Sequence, residues 1–229
     1  MDNQIKTLLS TPDNSEKIRD QIAAILMKEL SSQKTIAENE TEILNKKDFD
    51  IKVFIENARP WALLGNTSEK NPFPLVNVCL QEINKDSGPA VGKIKYTGTF
   101  YIDCYGCGNY QPENANYIPD DYLSTIRAWH IARIVRNILM SGFYVNLGIQ
   151  EIVRRRDIES IKTIFPTALQ DSAIAVTVCR IILKVDFYEN SLEANGVVFE
   201  GITFKSNNDG EVNLIDIMSD HTKETYKKE

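Results

Sequence analysis

"KIKYTGTFYIDCYGCGNY", residues 93–110, decides the fold class. Ile94, Tyr96, Gly98, Phe100, Ile102 and Cys104 share one parity, while Lys93, Lys95, Thr97, Thr99, Tyr101 and Asp103 share the other. A period of two held over about a dozen residues predicts a strand in an antiparallel sheet, with one face on a core and one in water. The same stretch carries Cys104 and Cys107, a spacing shared by redox dithiols, half zinc sites and ordinary strand cysteines. If the strand runs through the pair, the two thiols point to opposite faces.

Other features weigh on the pair. Gly108 and Asn109 behind it read as a loop, whereas a redox dithiol sits at a helix N-terminus that lowers the attacking thiol's pKa. Zinc needs two more ligands, and there is no second Cys-x-x-Cys; His130 falls inside a helical pattern and His221 near the C-terminus. A structural role is the leading reading, with zinc or thiol-redox chemistry as the outside alternative.

The chain has 229 residues, 42% hydrophobic and 25% charged, with a net charge of −6. That length allows a sizeable core, and the composition is that of a globular protein. The acidic balance argues against a dedicated nucleic-acid binder while leaving room for a local basic patch. No apolar run is long enough to span a bilayer. The opening "MDNQIKTLLSTPDNSEK" lacks the regions of a signal peptide, so the expectation is a chain starting at Met1 in a reducing, cytosol-like compartment, without a membrane partner. The four cysteines, Cys79, Cys104, Cys107 and Cys179, fit buried free thiols.

Working outward, Ile18, Ile22, Ile25 and Leu26 predict an amphipathic helix over about 15–30, behind the capping candidates Asp13, Asn14 and Ser15. The polar stretch 31–47 is either more helix or a loop. Ile51, Val53 and Ile55 alternate as a strand, and "LVNVCLQEI" is a second strand. "PDDYLSTIRAWHIARIVRNILMSG" reads as a helix over about 120–141, started by Pro119, Asp120 and Asp121 and stopped at Gly142. "YVNLGIQEIVRRRDIESIKTIF" predicts one strand followed by irregular chain. "SAIAVTVCRIILKVDFYE" is a long strand with Ala175, Cys179, Ile181, Leu183, Val185 and Phe187 on one parity. A short hairpin over about 197–217 and a charged, frayed tail over about 218–229 complete the expectation. The fold class is α+β: a mostly antiparallel sheet flanked by helices, in a single domain over 1–229.

Catalytic motifs are missing from this pattern. There is no phosphate-binding loop, no nucleophile elbow, and little room for a histidine-based pair. No cofactor and no metal are expected, and the chain is read as not an enzyme. Two surface features stand out instead. On the long helix, Ala128, Ile131, Ala132, Val135, Ile138 and Leu139 form a core stripe. About a third of a turn away runs a second stripe of Tyr122, Ile126, Trp129, Arg133, Arg136 and Met140. It is either covered by the chain's own loops or a subunit contact, since aromatic, Met and Arg side chains are enriched in interface cores. The run Arg154, Arg155, Arg156 is a solvated edge, a partner of carboxylates, an inter-subunit ion-pair site or a phosphate contact.

The stretches "ENARPW", "PLVNV", "TGTFYIDCYGCG", "IVRNILMSG", "YVNLGIQEIVRRRDIESI" and "RIILKVDFYE", in this order over about 50–190, resemble tail terminator or tail-completion proteins of long-tailed bacteriophages. The resemblance implies a sheet flanked by helices and a virion protein, made in the host cytoplasm, without catalytic residues. It implies a ring of copies, typically a hexamer, that caps the tail tube and joins it to the head connector or neck proteins, with DNA passing through the lumen. It also implies that Cys104 lies inside the sheet. On that expectation the stripe of Tyr122 to Met140 is a ring interface and Arg154–Arg156 a lumen or rim patch. Another head–tail joining or tail-associated component is the near alternative.

Overall fold

The computed structural model describes residues 12–40, 49–58, 60, 74–86, 93–109, 120–166 and 174–190. The expected hairpin at 197–217 and tail at 218–229 lie outside them. The elements in chain order are α1 (Asn14–Asn39), β1 (Lys52–Ile55), β2 (Leu75–Lys85), β3 (Lys93–Asn109), α2 (Asp120–Leu139), β4 (Val153–Ile164) and β5 (Ile174–Asn190). The strands form one sheet in the order β1-β2-β3-β5-β4, antiparallel except for the β1–β2 pair. The α+β expectation holds.

β3 is the spine of the sheet. It pairs along its whole length with β5, Lys93 opposite Asn190 and Asn109 opposite Ile174. Its even positions meet the odd positions of β5: Phe100 faces Leu183, Ile102 faces Ile181, and Cys104 faces Cys179. These side chains, with Val76 and Val78 of β2, are buried under Ile18, Ile22, Leu26 and Leu30 of α1 and under Ala128, Ile131, Val135 and Leu139 of α2. Each large aliphatic or aromatic side chain buried there contributes about 1.5–3 kcal/mol. The core stripe read from the sequence of α2 is the stripe that packs.

Four details of the expected elements are resolved, two of them as corrections. Residues 108–109 are strand, not loop: β3 continues to Asn109. The polar stretch after residue 30, left open between helix and loop, is helix as far as Asn39, with Ala37 buried. α2 ends at Leu139, shortly before the expected stop at Gly142. Ser141 leaves the helix in an extended conformation (φ −59, ψ 141), and Arg156 donates to the carbonyls of Leu139 and Ser141. Lastly, residues 145–164 are irregular first and strand second. β4 hid its period because bulges fall between Val153 and Arg155 and between Ile158 and Ser160. Each bulge adds a residue, so Val153 and Arg156, and likewise Ile158 and Ile161, share a face at a spacing of three.

The side of the sheet away from the helices was expected to be solvated, and it is only partly so. Leu75, Tyr105, Cys107 and Val178 are buried there, with Phe54, Ile164 and Val176 packed against them. Asp103, only 5% exposed, binds Arg180 through both oxygens at 2.7 and 2.8 Å, and that guanidinium lies 4.3 Å above the Tyr101 ring. Two charge-assisted bonds and a cation–π contact offset the cost of burying the carboxylate. β1 ends at Glu56, a non-glycine residue at φ 49. The Asn77 side chain then takes over, accepting from Asn57 N–H at 3.1 Å and donating to Asn57 C=O at 2.9 Å.

One approach fixes α2 on this frame. A Cβ at Gly106 of β3 would lie 2.3 Å from both the Ser124 carbonyl oxygen and the Ala128 nitrogen. Helix and strand backbones touch here, and only glycine allows it. Beside the contact, Ser124 Oγ and Thr177 Oγ1 share a hydrogen bond at 2.8 Å. Gly106→Ala is therefore expected to cost about 3 kcal/mol, the upper end for overpacking, because the opposing atoms are backbone. Urea unfolding of the two proteins measures it; a loss below about 0.5 kcal/mol would show that the close approach is absent.

Candidate functional site

Strand geometry answers the cysteine question. Cys104 faces the helices, and Cys107 lies on the opposite side of the sheet with Leu75 and Tyr105. One ion or one disulfide cannot take both from a continuous strand. All four cysteines are free thiols. Burial pushes Cys104 well above the ordinary thiol range, Cys107 up to about 12, and Cys79 and Cys179 up to about 11. These thiols are held neutral, the reverse of an activated nucleophile. Among the described residues, no three of His, Cys, Asp or Glu converge where a cation could sit. No described helix is long and apolar enough to cross a membrane.

The second stripe of α2 is a surface. Tyr122, Ile126, Trp129, Arg133, Arg136 and Met140 are all exposed, Trp129 by 43%. Their steps alternate four and three, which keeps them on one line along the helix, the seam spacing of helix–helix contacts. Past α2 the chain turns off this line at Ser141, and in the turn that follows Phe143 is 94% exposed and Val145 is exposed too.

The seam points toward the thin part of the fold. α1 lies on β1 and β2, and α2 lies on β3 and β5. A helix is ~10 Å wide and strands are ~4.8 Å apart, so each helix covers about two strands. β4 is the fifth strand, and neither helix is seated on it. On the α1 side of α2, His130 meets Phe49 edge-on, with centroids 5.5 Å apart. The seam is on the other side, toward β4, whose Ile158 and Ile161 are only partly buried. Arg133 reaches His130 Nδ1 at 3.1 Å, and among the described residues neither Arg133 nor Arg136 has a carboxylate partner. Among the described residues the seam is thus a line of apolar side chains and two arginines without carboxylate partners, beside a strand that neither helix covers.

The basic run is split by its strand. Arg156 is half-buried and caps α2, so it leaves the lumen or rim patch expected of it. Arg154 donates to Tyr188 Oη at 2.8 Å, and Arg155 pairs with Asp157 at 3.1 Å, both exposed on the edge of the sheet. A two-residue basic edge remains.

The chain matches no protein-family model and no curated protein.

The thiol environments predict a pH dependence. Folded Cys107 and its neighbours hold protons that an unfolded chain releases near the ordinary value of 9.0, so the folded state binds more protons from there upward. Stability is accordingly insensitive to these groups below about pH 9 and falls as pH rises above it. Thiol titration of the native protein at pH 8 should label Cys104 and Cys107 only on the timescale of unfolding. Fast labelling of either would contradict the burial.

Proposed function

We infer that this protein is a virion structural protein, a tail terminator that assembles as a ring, probes no substrate, stops growth of the tail tube and joins it to the head connector. The observation that carries this reading is the exposed α2 seam beside an edge strand that neither described helix covers. A ring of identical subunits uses a heterologous contact, in which one side of a copy meets a different side of the next. The seam with β4 offers one such side. The β1 end, with a strand of four residues, offers a dissimilar one. β4 is a long edge, and its Arg154, Arg155, Lys162 and two bulges disfavour uncontrolled strand pairing. A subunit that fits a tube end on one side and cannot template another ring on the other would terminate polymerisation. The sequence resemblance over about 50–190 covers the segment that holds all five strands and α2.

Mass measurement in solution with negative-stain imaging tests the reading. A closed ring with a central hole, alone or on added tail tubes, is expected; a chain that stays monomeric in both conditions contradicts it. Trp129→Glu should weaken the ring by about 2 kcal/mol, roughly 30-fold, while leaving the subunit folded, because Trp129 lies outside the core. If DNA passes the Arg154 and Arg155 edge, replacing both with Glu should lower the salt slope of DNA retention by about 2. An unchanged slope would remove that edge from the lumen.

A further inference from the structure

The two edges of the sheet are complementary in direction and in charge. β1 runs parallel to β2, and each of the next three steps across the sheet reverses direction, so β4 runs opposite to β1. Among the described residues no strand lies beyond either. A second copy set edge to edge, helices on the same face, therefore brings its β1 antiparallel to β4. The N–H groups of Lys52 and Glu56 bond the carbonyls of Pro74 and Val78 on the β2 side, which turns the backbone of Ile51 and Val53 outward. On the other edge, Tyr188 N–H meets Ile152, so the even residues of β5 face β4. Their partners Asp157, Ser160 and Lys162 face inward, and Ile158 and Ile161 face out.

The charges fall at matching intervals. Asp50 and Glu56 bracket β1, six residues apart. Arg155 and Lys162 of β4 pair with Asp186 and Arg180, also six residues apart on β5, because the bulge between Ile158 and Ser160 absorbs the extra residue. One antiparallel register then joins the outward backbones, Val53 to Ile158 and Ile51 to Ile161, and leaves Asp50 at Lys162 and Glu56 at Arg155. Self-pairing of two β4 edges would set Arg154 or Arg155 near Lys162 instead, so the charges select the β1 edge. The same continuation brings the neighbour's α1, seated on its β1 and β2, across β4 from the seam. Three strand spacings, ~14 Å, would separate it from α2, against about 8–10 Å for an ordinary helix pair. Trp129 and Met140 are large enough to fill that difference.

We propose that β4 of one copy pairs antiparallel with β1 of the next, with Asp50 held at Lys162 and Glu56 at Arg155. The proposal rests on the ring reading for the head-to-tail association of copies and names the surfaces that meet.

Cysteine cross-linking of the full chain tests it. Lys52 and Ser160 lie opposite each other in this register, both with backbone turned inward, at a pair whose Cα atoms are ~4.5 Å apart, a spacing that a disulfide spans. Within one copy they sit on opposite edges of the sheet. Lys52→Cys with Ser160→Cys, oxidised by diamide, should give disulfide-linked dimers and larger multimers, with the parent chain as blank. Lys52→Cys with Ile161→Cys, one residue out of register, should give about tenfold less. Sedimentation over a dilution series is the second readout. Asp50→Lys and Lys162→Glu should each weaken association about tenfold. An equimolar mixture of these two variants should restore it, since opposite charges then meet at every contact of an alternating assembly; a merely disturbed fold would not be rescued by mixing. Closed rings that neither cross-link nor respond to the reversals overturn this contact and leave the ring reading standing. Cross-linked open chains without rings uphold the contact and overturn the ring. A parent chain that stays monomeric at every concentration, with no cross-linking of the cysteine pair, overturns the contact.

Discussion

The contact of Gly106 with the backbone of Ser124 and Ala128 governs the arrangement of everything outside the core. It seats α2 directly on β3 and β5, at a distance that no side chain on that strand position would permit. With α2 fixed there and α1 on β1 and β2, the helix layer runs out before the sheet does. Among the described residues, the lack of a helix over β4 and the outward line of Tyr122 to Met140 are two views of this one shortfall. Moving α2 one strand further would cover β4 and open the seam between the helices instead.

Elements with a strong single period were legible. β3 and β5 are central strands whose helix-facing positions are mostly apolar, Thr177 beside Ser124 being the buried exception, and α2 shows a core stripe at helical spacing. β4 was not legible, because its two bulges give buried-side positions Val153, Arg156, Ile158 and Ile161 an irregular spacing that matches neither helix nor strand. The extent of α1 was also hidden: past Leu30 its sequence is polar, and Ala37 alone marks the inner face. The parallel β1–β2 pairing depends on a long connection whose sequence has no periodic signal.

The site was half legible for the same reasons. The seam residues could be named from helical spacing, but whether they were covered depended on where α2 sat. Arg156 looked like the third member of a basic patch, and only the bulge turned it inward to cap α2. The Asp103–Arg180 pair could not be anticipated from parity alone, since it needs the register of β3 against β5. Alternation had marked Asp103 as solvent-facing. In the fold its burial is offset by a bidentate partner, and part of the far face packs around it while the rest stays wet.

The central claim is that the α2 seam is a contact surface left open by the fold and not an ordinary solvated helix face. A photoreactive phenylalanine analogue at position 129, followed by mass spectrometry of the cross-linked peptides, addresses it directly. The account predicts covalent products to a neighbouring copy. Activation that yields only solvent-quenched label, in the isolated protein and on tail tubes alike, would contradict it.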